Sequence, residues 1–170
     1  MNLRQLFSNN LNFWLVAIAG FISDQVTKLW IVRSFKTIGT TQPLWENVFH
    51  FTYVTNDGAA FSFFAGGVAW LRWLSLLVSL GLMFYGLFSP RLPKWEQLGL
   101  GFILAGAMGN GLDRFLFGYV VDFLDFRLIN FPIFNLADVW INVGIVCMLL
   151  AAWLPDRPSR PPDNTPPSET

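Results

Sequence analysis

Polar residues punctuate an otherwise apolar chain, and the runs between them are long. Four stretches, residues 12–32, 68–88, 95–115 and 134–154, reach the ~20 residues a helix needs to cross a bilayer. Tryptophans fall near their ends: Trp14 and Trp30 in the first, Trp70 and Trp73 in the second, Trp95 in the third, Trp140 and Trp153 in the fourth. Those are interfacial positions for an amphipathic ring. Between the spans the period changes. From Val48 to Thr55 residues alternate, with Phe49, Phe51 and Tyr53 on one face and Val48, His50, Thr52 and Val54 on the other, which predicts a strand. Asn56-Asp57-Gly58 then reads as a turn. A second alternating stretch, "GYVVDFLDFRLINFPIFN", precedes the last span. The pattern therefore predicts an all-α integral membrane protein of four transmembrane helices, with a small extracytoplasmic β element and loop. The sheet is expected to rest aromatic side down on the membrane, with His50 facing solvent.

Composition agrees with the pattern. Hydrophobic residues make up 54% and charged residues 13% of the 170, too little polar surface for a soluble globule. Eleven basic and eleven acidic residues cancel, and no basic run exists, so nucleic acid has no electrostatic footprint to bind. The single cysteine, Cys147, lies within the last apolar run, which excludes an internal disulfide and multi-cysteine metal motifs.

An even number of spans puts both termini on one side, together with Arg4, Arg91, Lys94, Arg157 and Arg160; Arg33, Lys36 and Arg127 lie opposite. This bias makes the terminal side cytoplasmic. One domain is expected over 1–154, with 33–67 and 116–133 extracytoplasmic. The proline-rich, apolar-poor remainder, 155–170, is expected to be a disordered cytoplasmic tail. Arg4 ahead of "FWLVAIAGFIS" also has features of a cleaved secretory leader, but "LWIV" resumes the apolar run after Asp24 and Lys28 and favours an uncleaved span.

The unusual polar residues collect in one layer of this map. Asp24 and Lys28 occupy the later half of span one, "GNGLDR" (Gly109 to Arg114) closes span three, and Asp138 opens span four. Alternating direction brings all these ends to the extracytoplasmic interface. A carboxylate within a span costs roughly 2.5–3.5 kcal/mol at a helix centre, so each such group is a functional candidate. Asp24 and Lys28, four apart, share a helix face. They read either as a self-neutralising pair with Lys28 snorkelling or as part of a site. Asn110 and Arg114 also share a face, and Arg114 offers fixed donors for carboxylates or carbonyls; the alternative is a helix end with Asp113 and Arg114 exposed. Asp122 and Asp125 are an odd number of positions apart, so only one can point into a site. Asp138 follows Asp122 by sixteen residues, enough chain to turn and bring both carboxyls to one level, and Asn135 stands a turn earlier.

Two aspartates converging in a low-dielectric pocket cannot both ionise, so they share one proton. A water between them can lose a proton to the ionised partner while the protonated one polarises a peptide carbonyl. Competing chemistries are poorly supplied. Cys147 and the lone His50 are far apart in the pattern, Ser23 and Ser62 are badly spaced for a dyad with Lys28, and a divalent ion would need more oxygen ligands. A proton- or ion-coupled transporter using Asp24, Lys28, Asp113 and Asp138 is the rival, though it demands polar residues through the full bilayer depth.

Taken together, "DQVTK" (Asp24 to Lys28), "NDGAAF" (Asn56 to Phe61), "GNGLDR", "VVDF" (Val120 to Phe123) and "FNLADVWI" (Phe134 to Ile141), in this order, resemble the bacterial lipoprotein signal peptidase family, also called signal peptidase II. The resemblance implies an intramembrane aspartyl endopeptidase of the bacterial inner membrane. It would remove signal peptides from prolipoproteins, cutting before a cysteine that carries a diacylglyceryl group, with no metal or other cofactor and as a monomer among membrane lipids. It implies Asp122 and Asp138 as the catalytic pair, with Asp24, Lys28, Asn56, Asn110, Asp113, Arg114 and Asn135 lining or bracing the site near the periplasmic face. The phenylalanine- and glycine-rich stretch 58–67 is expected to act as a lid.

Overall fold

The computed structural model describes residues 7–58 and 67–154. The 59–66 portion of the expected lid, Ser62, Arg4 and the 155–170 tail lie outside them. Four long helices, α1 (Leu11–Phe35), α2 (Gly67–Phe88), α3 (Lys94–Leu116) and α4 (Leu136–Trp153), form a bundle. A three-stranded antiparallel sheet, β1 (Thr41–Trp45), β2 (Phe49–Asn56) and β3 (Val120–Phe126), stands at one end in the order β1-β2-β3. Because β1 and β2 follow α1 while β3 joins α3 to α4, the sheet caps the bundle end where the polar layer lies.

Three of the helices are long and apolar enough to cross a membrane: α1, α2 from Trp70 and α4. Their outward faces are apolar: Leu15, Ile18 and Ile22 of α1, Leu77 and Phe84 of α2, and Val146 and Leu149 of α4 are all exposed. Helix α3 differs for a physical reason. It packs against all three others and buries residues on every side, including Gln97, Leu104, Asn110 and Asp113. Protein surrounds it, so glycine, alanine and polar residues replace the bulky apolar ones a lipid-facing helix needs.

Close approach fixes the bundle. A Cβ at Gly106 of α3 would collide with the carbonyl oxygen of Ala137 in α4, and one at Gly109 would collide with Asp24 Oδ2 of α1. Glycine at 109 thus makes room for a carboxylate in the bundle interior. At the opposite end, buried Asn10 holds the α2–α3 connection through Gly86 O, Ser89 Oγ and the amide of Leu92.

The sheet departs from simple alternation. Strand β1 was not legible in the sequence; Pro43 at its centre suits an edge strand, since proline cannot donate to a ladder. Pairing between β2 and β3 shifts between Phe51, opposite Leu124, and Val54, opposite Asp122. One extra residue in β2 moves Val54 out of the face expected from the period and places Asn56, rather than Thr55, in phase with Asp122. The expected solvent exposure of His50 is also corrected. It is 5% exposed, packed between β1 and β3, with Thr41 Oγ1 at 3.3 Å from Nδ1. The apolar face carrying Tyr53, Val121 and Phe123 packs on Ile31 and Phe35 at the end of α1.

Gly106→Ala is expected to destabilise the protein by about 1–3 kcal/mol, because backbone lies where the methyl would go. Gly81→Ala on α2, where nothing lies within 4 Å, should be neutral or stabilising by up to ~1 kcal/mol. Thermal unfolding of both variants in detergent checks the contrast.

Candidate active site

Helix α4 begins with a reciprocal cap. Asn135 is its N-cap: the Asn135 side chain accepts from the Asp138 amide at 3.1 Å, and Asp138 Oδ2 accepts from the Asn135 amide at 3.2 Å. The sequence Asn-Leu-Ala-Asp supplies a capping-box pair, a helix-start signal. Asp138 therefore sits where the positive end of the helix dipole tolerates a carboxylate.

Asn135 also reaches the other acid. Its Nδ2 lies 2.6 Å from Asp122 Oδ1, 3.0 Å from Asn110 Oδ1 and 3.2 Å from the Val121 carbonyl. Asn56 Nδ2 donates to Asp122 Oδ2 at 2.9 Å, and Asn110 Nδ2 donates to Asp138 Oδ1 at 2.8 Å. Each carboxyl is thus gripped by two amides, and Asn135 is common to both. The pair opens onto one cavity of about 780 Å³, lined also by Arg114, Leu71, Phe134, Asn142 and Val146. Its walls are mainly apolar.

Behind this pair lies a buried ionic layer. Lys28 is 4% exposed and does not snorkel; its Nζ meets Asp24 Oδ2 at 2.9 Å, Asp113 Oδ2 at 3.0 Å and Asn110 Oδ1 at 3.1 Å. Three acceptors use all three donors of the ammonium. Asp24 Oδ1 accepts from the Ala137 amide at 2.9 Å, capping α4 from α1, and Asp113 Oδ2 accepts from the Val121 amide at 3.2 Å, holding β3 next to Asp122. Asp113 is buried, not exposed at a helix end. Arg114 Nη1 donates to Asn110 O at 3.3 Å and approaches Ser75 Oγ at 3.5 Å, with its guanidinium on the cavity wall. Asp125 points away from Asp122, onto Thr52 Oγ1 at 2.6 Å and Arg127 Nε at 3.0 Å.

The sequence reading missed Gln25, whose Nε2 bridges Asp24 Oδ2 at 3.1 Å and Asp113 Oδ1 at 3.2 Å, and Asn142 on the cavity wall. An amide side chain inside an apolar helix was the available signal for both. Among the described residues no group of three or more His, Cys, Asp or Glu is placed to hold a metal ion.

Burial pushes the Asp122 carboxyl up to about 6, and the neighbouring Asp138 charge adds to the rise, while the Asn56 and Asn135 hydrogen bonds and the Lys28 charge oppose it. Removing the Asn56 bond strips support from the carboxylate form. Asp122 is accordingly expected to titrate near pH 6, and Asn56→Ala to move that midpoint upward; the carboxyl stretching band in infrared difference spectra, assigned with Asp122→Asn, checks both.

Comparison with known proteins finds relatives along most of the chain. A family model described as signal peptidase (SPase) II matches residues 16–154. A lipoprotein signal peptidase of Microcystis aeruginosa is 67% identical over 148 residues, spanning 87% of this chain and 96% of that protein. One from a Cyanothece strain is 55% identical over 99% of this chain and 98% of its own length. Two solved bacterial membrane enzymes, each 30% identical, superpose with TM-scores of 0.71 and 0.72 over 82% and 84% of this chain and 85% and 92% of theirs. None of these relatives supports the transporter reading. With the family model covering most of its length and close relatives covering nearly all of it, the chain belongs to the signal peptidase II family of aspartic peptidases.

Proposed function

We propose that this protein removes the signal peptide from diacylglyceryl-modified prolipoproteins, cleaving before the lipidated cysteine with Asp122 and Asp138 as the catalytic pair. The observation that carries this reading is the single asparagine, Asn135, hydrogen-bonded to both carboxyl-bearing residues at the mouth of one apolar-walled cavity. Burial favours the protonated form of Asp122, and in this mechanism Asp122 carries the shared proton. Asp138 takes a proton from a water lying between the acids as the water oxygen attacks the scissile carbonyl carbon, and Asp122 gives its proton to the carbonyl oxygen. Collapse of the resulting diol breaks the carbon–nitrogen bond. The proton held by Asp138 goes to the departing cysteine nitrogen, and Asp122 regains its own from the diol hydroxyl. Arg114, on the same wall, is suited to meet negative charge gathering at the reacting oxygens.

All four helices cross the bacterial inner membrane in this reading, α3 shielded by the other three, with both termini cytoplasmic and the sheet at the periplasmic face. A signal helix in the bilayer with its acyl chains in the outer leaflet brings the cleaved bond to the depth where α4 begins. Lys28, Asp24, Asp113, Asn110 and Asn56 position the pair, and in this reading the protein works as a monomer.

Asp122→Asn and Asp138→Asn are each expected to reduce cleavage of a diacylglyceryl precursor in detergent by about 10²–10⁴-fold or more, with thermal stability retained. Near-normal cleavage by either folded variant would overturn the assignment. The pH profile supplies a second check: kcat/KM should fall on the alkaline side as the pair loses its shared proton, and Asn56→Ala should move that limb to higher pH.

A further inference from the structure

Asn142 is an anomaly on α4. It lies six residues into a helix apolar enough to cross a membrane, about 9 Å below the helix start, and its side chain is exposed. Its Nδ2 donates back to the Asp138 carbonyl at 2.8 Å, and none of the described residues donates to its Oδ1. A polar oxygen without a donor at that depth is costly. It lines the same cavity as Asp122 and Asp138, on the helix face that runs from Asp138 through Val139 and Val143 to Val146.

The peptide to be cut has a matching need. Cleavage requires an extended segment at the acids, so the signal helix must unwind there, and each unwound residue gives up the helical partners of its backbone N–H and C=O groups, which must find others in a cavity whose walls are mainly apolar. Four residues of α4 separate Asp138 from Asn142, about 6 Å along the helix, which an extended chain covers in about two residues. We propose that Asn142 is a substrate-backbone binding residue: its Oδ1 accepts the amide N–H of the unwound signal-peptide segment about two residues before the cleaved bond. This inference rests on the peptidase reading above.

The test combines variants with substrates modified at one amide. Asn142→Leu is expected to lower kcat/KM on a diacylglyceryl lipopeptide about 3–10-fold, mainly through KM, with the pH profile unmoved and with Asn142→Gln recovering most of the loss. Lipopeptides N-methylated one position at a time over the four residues before the cleaved bond identify the partner. At one position the parent enzyme should lose a similar factor, and Asn142→Leu should lose nothing further. Independent losses at every position, or a kcat/KM equal to the parent's, would overturn the inference. So would a change of oligomeric state in Asn142→Leu matching its loss of activity, since the amide would then serve contact between copies of the chain. If the parent cleaves and Asp122→Asn does not, any of these failures bears on Asn142 alone; cleavage by Asp122→Asn would instead remove the peptidase reading beneath it.

Discussion

The ammonium of Lys28 ties together the helices and the strand that carry the two acids. It binds Asp24, which caps α4; Asp113, which tethers β3; and Asn110, which bonds Asp138. Three segments far apart in the chain are thereby referred to one point on α1. Removing one partner of such a buried ion pair typically costs about 3–5 kcal/mol, because the surviving charge has no water to turn to. Here the loss would be geometric as well. Without the lysine, Asp24 and Asp113 would repel across the gap bridged by Gln25, and the two elements carrying Asp122 and Asp138 would lose their common reference.

Two requirements meet at α3. The ionic layer must be kept from lipid, which is why the helix carrying Asn110 and Asp113 is the one enclosed by its neighbours. Enclosure in turn demands close backbone approach, and Gly106 and Gly109 provide it, the latter by leaving space for Asp24. The glycines and the charges are therefore parts of one arrangement: a larger residue at 109 would disturb the carboxylate before it disturbed the packing. The same enclosure accounts for α3 being less apolar than the other three helices.

Much of this was legible in the sequence, and what escaped has a common cause. The gathering of Asp24, Lys28, Asn110, Asp113, Asn135 and Asp138 into one layer follows from helix length and alternating direction, both local properties. The odd spacing of Asp122 and Asp125 sends them to different faces, and Asp125 does turn to Thr52 and Arg127. What local periodicity cannot supply is contact across long separations. Asp24 meets the amide of Ala137, 113 positions away, and Lys28 is buried only because Asp113 and Asn110 arrive from α3. The β2 bulge is of the same kind: it exists in relation to β3, and it alone decides that Asn56 rather than Thr55 meets Asp122. His50 is buried for a similar reason, since β1 covers it and β1 had no signal of its own.

The two acids reside on unlike supports, one on a strand of the capping sheet and the other on the first turn of an apolar helix. A nascent chain whose helices have inserted but whose strands have not yet docked would carry each acid singly, unable to activate water. Hydrolytic competence on the proposed mechanism then depends on the docking of the sheet as much as on the assembly of the bundle, because neither acid can act alone.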